Sequence, residues 1–163
     1  MLITKVKAKR EPCEILIEYI LPHPKSQTGL QHISFPCKEE PRNEFYQALD
    51  ALLPTAIEAI GLDPDQWEEG EIIGVSFKHC DDGIGLTITA KCQIKERFAC
   101  PTTPYISPDG VPLFEGLQEL MLNVITQAIW YIDGARRQGS ILQQAPAADD
   151  LNRGFLGVLG VKE

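Results

Sequence analysis

The sequence contains no long hydrophobic run. Charged residues interrupt its apolar stretches after about ten positions, whereas a helix that spans a bilayer needs about 20 apolar residues in a row. The first ten residues, MLITKVKAKR, place apolar side chains ahead of basic ones, which reverses the order of a secretory signal. We therefore expect a cytoplasmic protein that does not engage a membrane.

The sequence also lacks the short motifs that mark common enzymes. It has no GxxxxGKS, GxxxxGKT or GxGxxG phosphate-binding loop, no HExxH and no GxSxG. No repeat recurs with a period of about 20–50 residues, which argues against a solenoid. Because no catalytic mechanism can be assigned to named residues, we expect no catalytic residue and no cofactor, and we favour a non-enzymatic binding protein over an enzyme.

Histidine is scarce and the cysteines are scattered. None of the five cysteines belongs to a CxxC pair, and the three histidines lie far from one another in the sequence. A zinc site needs Cys and His ligands at short, regular spacing, so we predict no metal site. An odd number of cysteines in a cytoplasmic protein indicates free thiols. The cysteines are Cys13, Cys37, Cys80, Cys92 and Cys100, and the histidines are His23, His32 and His79.

The stretch KHCDDGIGLTITAKC nevertheless gathers a histidine, two cysteines and two aspartates. Asp82-Gly83 is a favoured two-residue hairpin turn, and around it one face of the hairpin is apolar and the other polar. Cys92 falls on the apolar face and Cys80 on the polar one, so the two thiols are not expected to share a metal ion. The predicted apolar face consists of Ile73, Val75, Phe77, Leu86, Ile88, Ala90 and Cys92.

A second hairpin is predicted from strands at residues 2–10 and 13–21. Their antiparallel alignment gives sensible pairs on both faces. These pairs are Ala8–Ile15, Val6–Ile17 and Thr4–Tyr19 on one face and Lys9–Glu14 and Lys5–Glu18 on the other. The lysine stripe has two open interpretations, which are a solvated sheet face with cross-strand ion pairs and a contact surface for nucleic acid.

Two amphipathic helices are also predicted. Apolar side chains recur at helical spacing in residues 40–61, where Pro41 suits the first turn and Gly61 the stop. Pro54 should kink or divide this helix. Residues 113–138 form the second helix, which has a continuous apolar stripe.

Together these elements predict an α+β fold. About five antiparallel strands, including a third at 30–35 that ends at Pro36, form the sheet in the order ββ-β-α-ββ-α. Both main helices pack on one face, because strands with alternating patterns need a single covered face. We expect one domain over residues 1–138, followed at 139–163 by a linker and an apolar, Gly-rich tail.

The stretch 96–112, ERFACPTTPYISPDGVP, is predicted as a long loop, and loops of this length are often functional. Hydroxyl groups and an aromatic ring at its middle could contact a ligand. The candidates are Cys100, Thr102, Thr103 and Tyr105. An enzyme whose small-molecule pocket joins these residues to His79 is therefore one alternative function.

The predicted helix 113–138 contains candidate anion-binding residues and candidate dimer contacts. Arg136 and Arg137 at its end either stabilise the negative end of the helix dipole or bind an anion. Its apolar surplus comprises Ile125, Ile129, Trp130 and Ile132. Exposing such a side chain costs about 1.5–3 kcal/mol, so either the tail or a second copy should cover them. We predict a homodimer built partly on this helix.

The charge is acidic overall and basic at the start. The net charge is −8, from 15 basic and 23 acidic residues, which argues against non-specific DNA binding driven by phosphate neutralisation. The first ten residues, however, contain four basic and no acidic side chains. A nucleic-acid accessory protein is therefore the other alternative. It would use Lys5, Lys7, Lys9, Lys91 and Lys95, with Arg136 and Arg137.

Four pieces of the sequence carry a resemblance. PRNEFYQALDALLP, GVSFKH, PTTPY and YIDGARRQ, which lie in this order within residues 30–138, resemble a group of small acidic α+β proteins encoded in bacteriophages and prophages. That group has no established chemistry, so no functional residue carries over. The resemblance implies an accessory protein of a mobile element, which binds a host or phage protein or takes part in phage replication or recombination.

Overall fold

The computed structural model describes residues 1–136. Arg137 and the predicted tail at 139–163 lie outside this range. Short 3₁₀ turns at Pro64–Gln66 and Val111–Leu113 accompany the main elements. The strands are β1 (Leu2–Arg10), β2 (Cys13–Pro22), β3 (Leu30–Cys37), β4 (Glu69–Cys80), β5 (Gly83–Ile94) and β6 (Arg97–Ala99). The helices are α1 (Asn43–Asp50), α2 (Leu53–Ile60) and α3 (Leu117–Ile132).

The strands form one antiparallel sheet in the order β3-β2-β1-β4-β5-β6. The predicted α+β fold is confirmed, with six strands where about five were expected. The additional strand β6 has three residues, which is too few for an alternating pattern to be visible in the sequence. Strand β3 continues through Pro36 to Cys37, because an edge strand tolerates a residue that lacks the backbone N–H.

The register predicted for β1 and β2 is confirmed from Lys5 to Arg10. A bulge before Lys5 then places Ile3, rather than Thr4, opposite Tyr19. The bulge turns Ile3 into the core, where it is fully buried. The prediction was wrong only at the residues where the regular alternation of the strand is interrupted.

The hairpin of β4 and β5 differs from the predicted one by two residues. Its turn is Asp81-Asp82, with Cys80 opposite Gly83, whereas the sequence indicated a turn at Asp82-Gly83. A shift of two residues keeps each side chain on its predicted face, because side chains alternate with a period of two. Cys92 is accordingly buried and Cys80 lies on the opposite face.

One residue predicted in the core of this hairpin lies elsewhere. A bulge between Ile72 and Gly74 interrupts the pairing with β5. As a result Ile72 is fully buried, while Ile73 is only half-buried and lines a cavity on the other side of the sheet.

The predicted helix over 40–61 is divided, as Pro54 indicated. Helix α1 ends at Asp50 and α2 begins at Leu53, so that Pro54 stands in the first turn of α2. Its missing N–H costs no helical hydrogen bond there. Gly61 ends α2 with a φ of 82°, a left-handed conformation that favours glycine.

The helices cover one face of the sheet. Helix α1 packs against α3 and β4, α2 packs against β4 and β5, and α3 packs against β1. The predicted packing of two helical segments on a single face is therefore confirmed. The largest fully buried side chains include Ile3, Ile15, Ile17, Leu49, Leu52, Ile72, Leu86, Ile88, Leu117, Met121 and Tyr131.

Arg10 of β1 links α1 to the sheet through ion pairs. Its guanidinium donates hydrogen bonds of 2.9 and 2.6 Å to both carboxylate oxygens of Asp50, and its Nε lies 3.2 Å from a carboxylate oxygen of Glu71. The guanidinium also stacks on the Tyr46 ring, 4.5 Å from its centroid. Asp50 in turn accepts the backbone N–H of Ile72 at 3.1 Å, so one carboxylate connects α1 to both β1 and β4.

Part of the predicted loop 96–112 is an extension of the sheet edge. Leu86 and Ile106 exchange two backbone hydrogen bonds of 2.9 Å, and the N–H of Thr103 donates to the carbonyl of Ile88 at 2.8 Å. Residues 101–106 therefore run along β5 beyond β6, and their register shifts by one residue between the bridge of Thr102 with Thr89 and that of Ile106 with Leu86. Thr103 and Ile106 are buried, whereas Thr102 and Tyr105 are exposed.

Candidate functional site

The sheet has two faces of different character. The described helices pack on the covered face, whose strand residues form the core. The opposite side, which we call the open face, is polar and partly exposed. Its residues on the four central strands include Lys5, Lys7, Lys9, Glu14, Leu16, Glu18, Ser76, Lys78, Gly85, Thr87, Thr89 and Lys91.

Small side chains form a floor at the middle of the open face. Gly74 lies opposite Thr89, and Ser76 lies opposite Thr87. We call these four residues the floor. In the neighbouring strand β1, Lys5 lies opposite Ser76 and Lys7 opposite Gly74, and Lys9 continues this row of longer side chains beyond the floor. A chain-like ligand that lay on the floor would therefore meet ammonium groups along its length.

Cross-strand carboxylates neutralise only part of this positive charge. Lys5 Nζ lies 3.9 Å from a carboxylate oxygen of Glu18, which makes an exposed ion pair. Lys7 lies between Leu16 and Gly74, so no acidic residue stands directly opposite it.

Of the other lysines on this face, some lie opposite a carboxylate and one does not. Lys9 faces Glu14 and Lys91 faces Glu71. Lys78, by contrast, faces Gly85. Lys7 and Lys78 thus offer the charges that are best available to an external anion.

Two exposed aromatic rings stand beside lysines of the open face. Phe98 is 66% exposed, and Lys91 Nζ lies 5.0 Å from its ring centroid. Tyr105 is 48% exposed, and Lys78 Nζ lies 5.8 Å from its centroid. Each ring therefore lies within the range of a cation–π interaction with its lysine, and presents an apolar surface next to a positive charge.

Because Gly85 has no side chain, the Tyr105 ring has room to lie close to the sheet. A Cβ at Gly85 would lie 2.1 Å from the Tyr105 hydroxyl oxygen and 2.5 Å from its Cζ, which is far closer than van der Waals contact. The ring can lie over β5 only because this residue is glycine. The close approach places an exposed ring beside β5.

Two shallow cavities open near the Lys9 and Lys91 end of this face. The larger one has a volume of about 490 Å³ and is lined by Ala8, Lys9, Arg10, Glu11, Glu71, Ile73 and Lys91. The smaller one measures about 200 Å³ and is lined by Glu69, Gly70, Glu71, Lys91 and Phe98. The mixture of acidic and basic side chains suits an end of a binding site better than a pocket selective for anions.

The loop candidates divide between the two faces. Thr103 is buried, and its hydroxyl accepts the N–H of Ile88 at 3.0 Å, so it holds the sheet edge. The hydroxyl of Thr102 lies 3.0 Å from that of Thr89 on the open face. Cys100 is exposed. Of the predicted ligand contacts in this loop, Thr102 and Tyr105 border the open face.

His79 is not brought to these residues. Its Nε2 lies 2.6 Å from the Ile3 carbonyl, to which it donates a hydrogen bond in the corresponding tautomer. Along β5, His79 stands opposite Ile84, whereas the carbonyl of Pro101, next to Cys100, bonds to Ala90. Six intervening steps of about 3.4 Å separate these two positions on β5 by roughly 20 Å.

Arg136 lies in a separate cluster beside the edge strand β3, close to Phe35 and Cys37. Its guanidinium stacks 3.7 Å from the centroid of Tyr131 and donates to the Tyr131 carbonyl, and its Nε donates to a Glu39 carboxylate oxygen at 2.9 Å. These contacts tie the end of α3 to the segment after β3. Arg136 is therefore engaged in structural contacts away from the lysines of β1.

Two thiols of this cluster differ in acidity. Burial raises the pKa of Cys37, but the Tyr131 hydroxyl, the Glu39 backbone and Arg136 outweigh burial and lower the pKa overall. Burial and a hydrogen bond with Glu40 raise the pKa of Cys13 to about 11. At neutral pH, Cys37 is the better nucleophile of the two as judged by thiolate content.

The described residues hold no constellation of metal ligands. Over residues 1–136, no group of three or more His, Cys, Asp or Glu side chains converges in a way that could hold a metal ion. In the same range, no helix is long and apolar enough to cross a membrane.

Two residues of the open face, Lys78 and Phe98, were not among the candidates predicted from the sequence. Lys78 lies on the polar side of the predicted hairpin, so alternation alone could have added it to the lysine set. Phe98 could not have been assigned, because the pairing of β6 with β5 decides its direction. Lys95, a predicted nucleic-acid contact, lies in the exposed turn between these strands with a φ of 57°.

Comparison with known proteins adds no name to these features. No protein-family model, no curated protein and no solved structure matches the chain.

Proposed function

We propose that this chain is a non-enzymatic binding protein, and that its open face binds a polyanionic chain. The observation that carries this proposal is the arrangement of Lys5, Lys7 and Lys9 beside a floor of glycine, serine and threonine. Small floor residues leave space for a ligand, and the lysines supply ammonium groups at a spacing of about 7 Å along the strand.

The positive row stands out because the chain as a whole is acidic. With a net charge of −8, the molecule as a whole repels polyanions at long range, and the lysines of the open face supply local attraction. Such a protein binds through one local surface, and added salt weakens that binding because counterions compete with the lysines.

The residues considered for an active site support a binding role over catalysis. Thr103 and His79 each bond to the backbone of a strand, and Cys100 lies roughly 20 Å from His79 along the sheet. A nucleophile and a base must lie within hydrogen-bond reach of one another. The arrangement therefore offers no pair that could carry out acyl transfer or a similar reaction.

Fluorescence anisotropy with labelled heparin, a sulfated polyanion without bases, tests this proposal. The double variant Lys7→Glu/Lys78→Glu should bind about tenfold or more weakly than the unaltered protein, and binding should weaken as salt rises. The matched control is Lys25→Glu/Lys38→Glu, which makes the same change of net charge at exposed lysines outside the open face. Equal losses in both variants, or no binding at low salt, would contradict the proposal.

Self-association through α3 remains a prediction. Ile125, Ile129 and Ile132 are half-buried and pack against the core, so they account for part of the apolar surplus. Leu122 and Trp130 are 44% and 36% exposed, and we propose that a second copy covers them. Light scattering at micromolar concentration should give the mass of a dimer, and a monomeric mass would contradict this proposal.

The association with phages and mobile elements likewise remains a proposal that rests on the sequence resemblance. A polyanion-binding accessory protein in the cytoplasm agrees with it. Both nucleic acid and an acidic region of a host protein have the required chemistry.

A further inference from the structure

We infer that the ligand of the open face is single-stranded nucleic acid, with Phe98 and Tyr105 as base-stacking residues. This inference rests on the proposed function and specifies its partner. Its basis is that the exposed rings lie at the two ends of the lysine-bordered floor, where sulfated or carboxylated chains have nothing to stack.

The two rings bracket the floor along β5. Phe98 stands opposite Gln93, and Tyr105 lies over Gly85. These two positions on β5 are eight residues apart, which corresponds to about 27 Å at about 3.4 Å per residue. Thr87, Thr89 and Lys91 lie between them on the same face. A strand of several nucleotides can span this distance, in keeping with the ~4–16 nucleotides per domain of comparable single-strand sites.

The phosphate contacts and the base contacts fall in separate rows. Lysines of β1 line one side of the floor, and the aromatic rings lie beyond the other side, at the edge that β6 and residues 101–106 form along β5. A single strand can turn its backbone to one side and its bases to the other. Basic grooves with aromatic platforms are the usual means of binding single strands without sequence preference.

A duplex fits this surface less well. Its bases are paired and stacked, so Phe98 and Tyr105 would gain no partner. Its higher density of phosphates would also meet the repulsion of an acidic molecule with net charge −8, and duplex binding depends on neutralising many phosphates at once. The rings therefore favour unpaired bases over a double helix.

Exposure of the rings in the free protein agrees with this role. Phe98 is 66% exposed and Tyr105 is 48% exposed. Large aromatic side chains in water lose the stabilisation of burial. Because Gly85 has no side chain, the Tyr105 ring lies close to β5 while about half of it stays exposed to a stacking base.

The experiment uses fluorescence anisotropy to compare the binding of three labelled ligands. These are a 20-nucleotide oligothymidine, a duplex of the same length and heparin. Phe98→Ala and Tyr105→Ala should each weaken oligothymidine binding about fivefold to a hundredfold and change heparin binding less than about twofold. Leu113→Ala is the matched control, because Leu113 is 80% exposed and lies outside the open face. Phe98→Tyr should retain most of the affinity, since it keeps a stacking ring. Circular dichroism checks that each variant is folded.

The outcomes separate this inference from the proposed function. Tighter binding of oligothymidine than of the duplex, together with the loss in both ring variants, supports the inference. Lysine-dependent heparin binding with no single-strand preference, or equal losses for heparin in the ring variants, overturns the inference and leaves the polyanion surface standing. Failure of all three ligands to bind overturns both.

Discussion

The two faces of the same sheet follow different rules. On the covered face, strand residues from β1, β2, β4 and β5 join the helices in one continuous core, and nearly all are fully buried. On the open face, the adjacent residues of β1, β4 and β5 are mostly lysines, threonines, serine and glycine, and those of β2 are Glu14, Leu16 and Glu18. The covered face is explained by folding alone, because each side chain there has packing partners.

Packing explains less of the open face, where cross-strand ion pairs such as Lys5–Glu18 account for part of the charge. The fold needs polar residues there, but a solvated face could use any mixture of charges. Instead, lysines stand along a floor of small side chains, and a glycine admits an aromatic ring. The proposed binding of a polyanion accounts for this arrangement. The comparison therefore predicts large stability effects on one face and large binding effects on the other.

The largest stability effect is expected from Leu86→Ala on the covered face. Leu86 is fully buried, so its truncation should reduce the free energy of unfolding by about 2–5 kcal/mol through lost burial and a residual cavity. Thr87→Ala, one residue further on the open face, should change it by less than about 1 kcal/mol. Urea denaturation measures both, and comparable losses would abolish the distinction between the faces.

A smaller loss is expected from Asp50→Ala, which removes the partner of Arg10. The variant leaves a partly buried guanidinium and the N–H of Ile72 without this acceptor, and should cost about 1–3 kcal/mol. Glu18→Ala breaks the exposed pair with Lys5 and should cost about 1 kcal/mol or less. Chemical denaturation would contradict this account if the two variants were equally destabilised.

Gly85→Ala should have a modest effect on stability that depends on Tyr105. The new methyl group collides with the Tyr105 ring, and the ring can swing away because it is exposed. We expect a loss of about 1 kcal/mol or less that largely disappears in a Tyr105→Ala background. A double-mutant cycle measures this coupling, and full additivity would show that the ring does not lie over β5.

The smallest structural perturbation comes from thiol labelling. Cys100 is exposed and Cys92 is fully buried, so a maleimide should modify Cys100 rapidly and Cys92 only on unfolding. Because the pKa of Cys13 is raised to about 11, its thiolate is rare near pH 7 and its labelling should accelerate as pH rises towards that value. Mass spectrometry of labelled peptides tests this order, and rapid labelling of Cys92 would contradict the assigned core.

Alternation predicted most of the fold. It placed Val6, Ala8, Ile15 and Ile17 in the core because both faces of the first hairpin agree on one register. The second hairpin shows the limit of this reasoning, since a two-residue slip leaves every face unchanged and only the turn decides between registers. Bulges at Ile73 and before Lys5 interrupt the period and carry no signal in the alternation.

The candidate site was predictable only in part. The lysine row of β1 follows from alternation, whereas the contact between Tyr105 and Gly85 joins residues from different segments and depends on how the predicted loop pairs with β5. Phe98 lies on a strand of three residues, for which no pattern exists. Tertiary pairing at the sheet edge therefore supplies the aromatic part of the surface.

The central claim, that the open face is the binding surface, is tested most directly by an NMR titration of the ¹⁵N-labelled protein with oligothymidine. The account predicts that amide shifts change at Lys7, Ser76, Thr87 and Tyr105 and along their strands, and stay constant in α1 and in the core of α3. The same titration with Lys7→Glu/Lys78→Glu should show weaker changes at these positions. Shift changes centred on Leu122 and Trp130 of α3, or no change at any amide, would contradict the account.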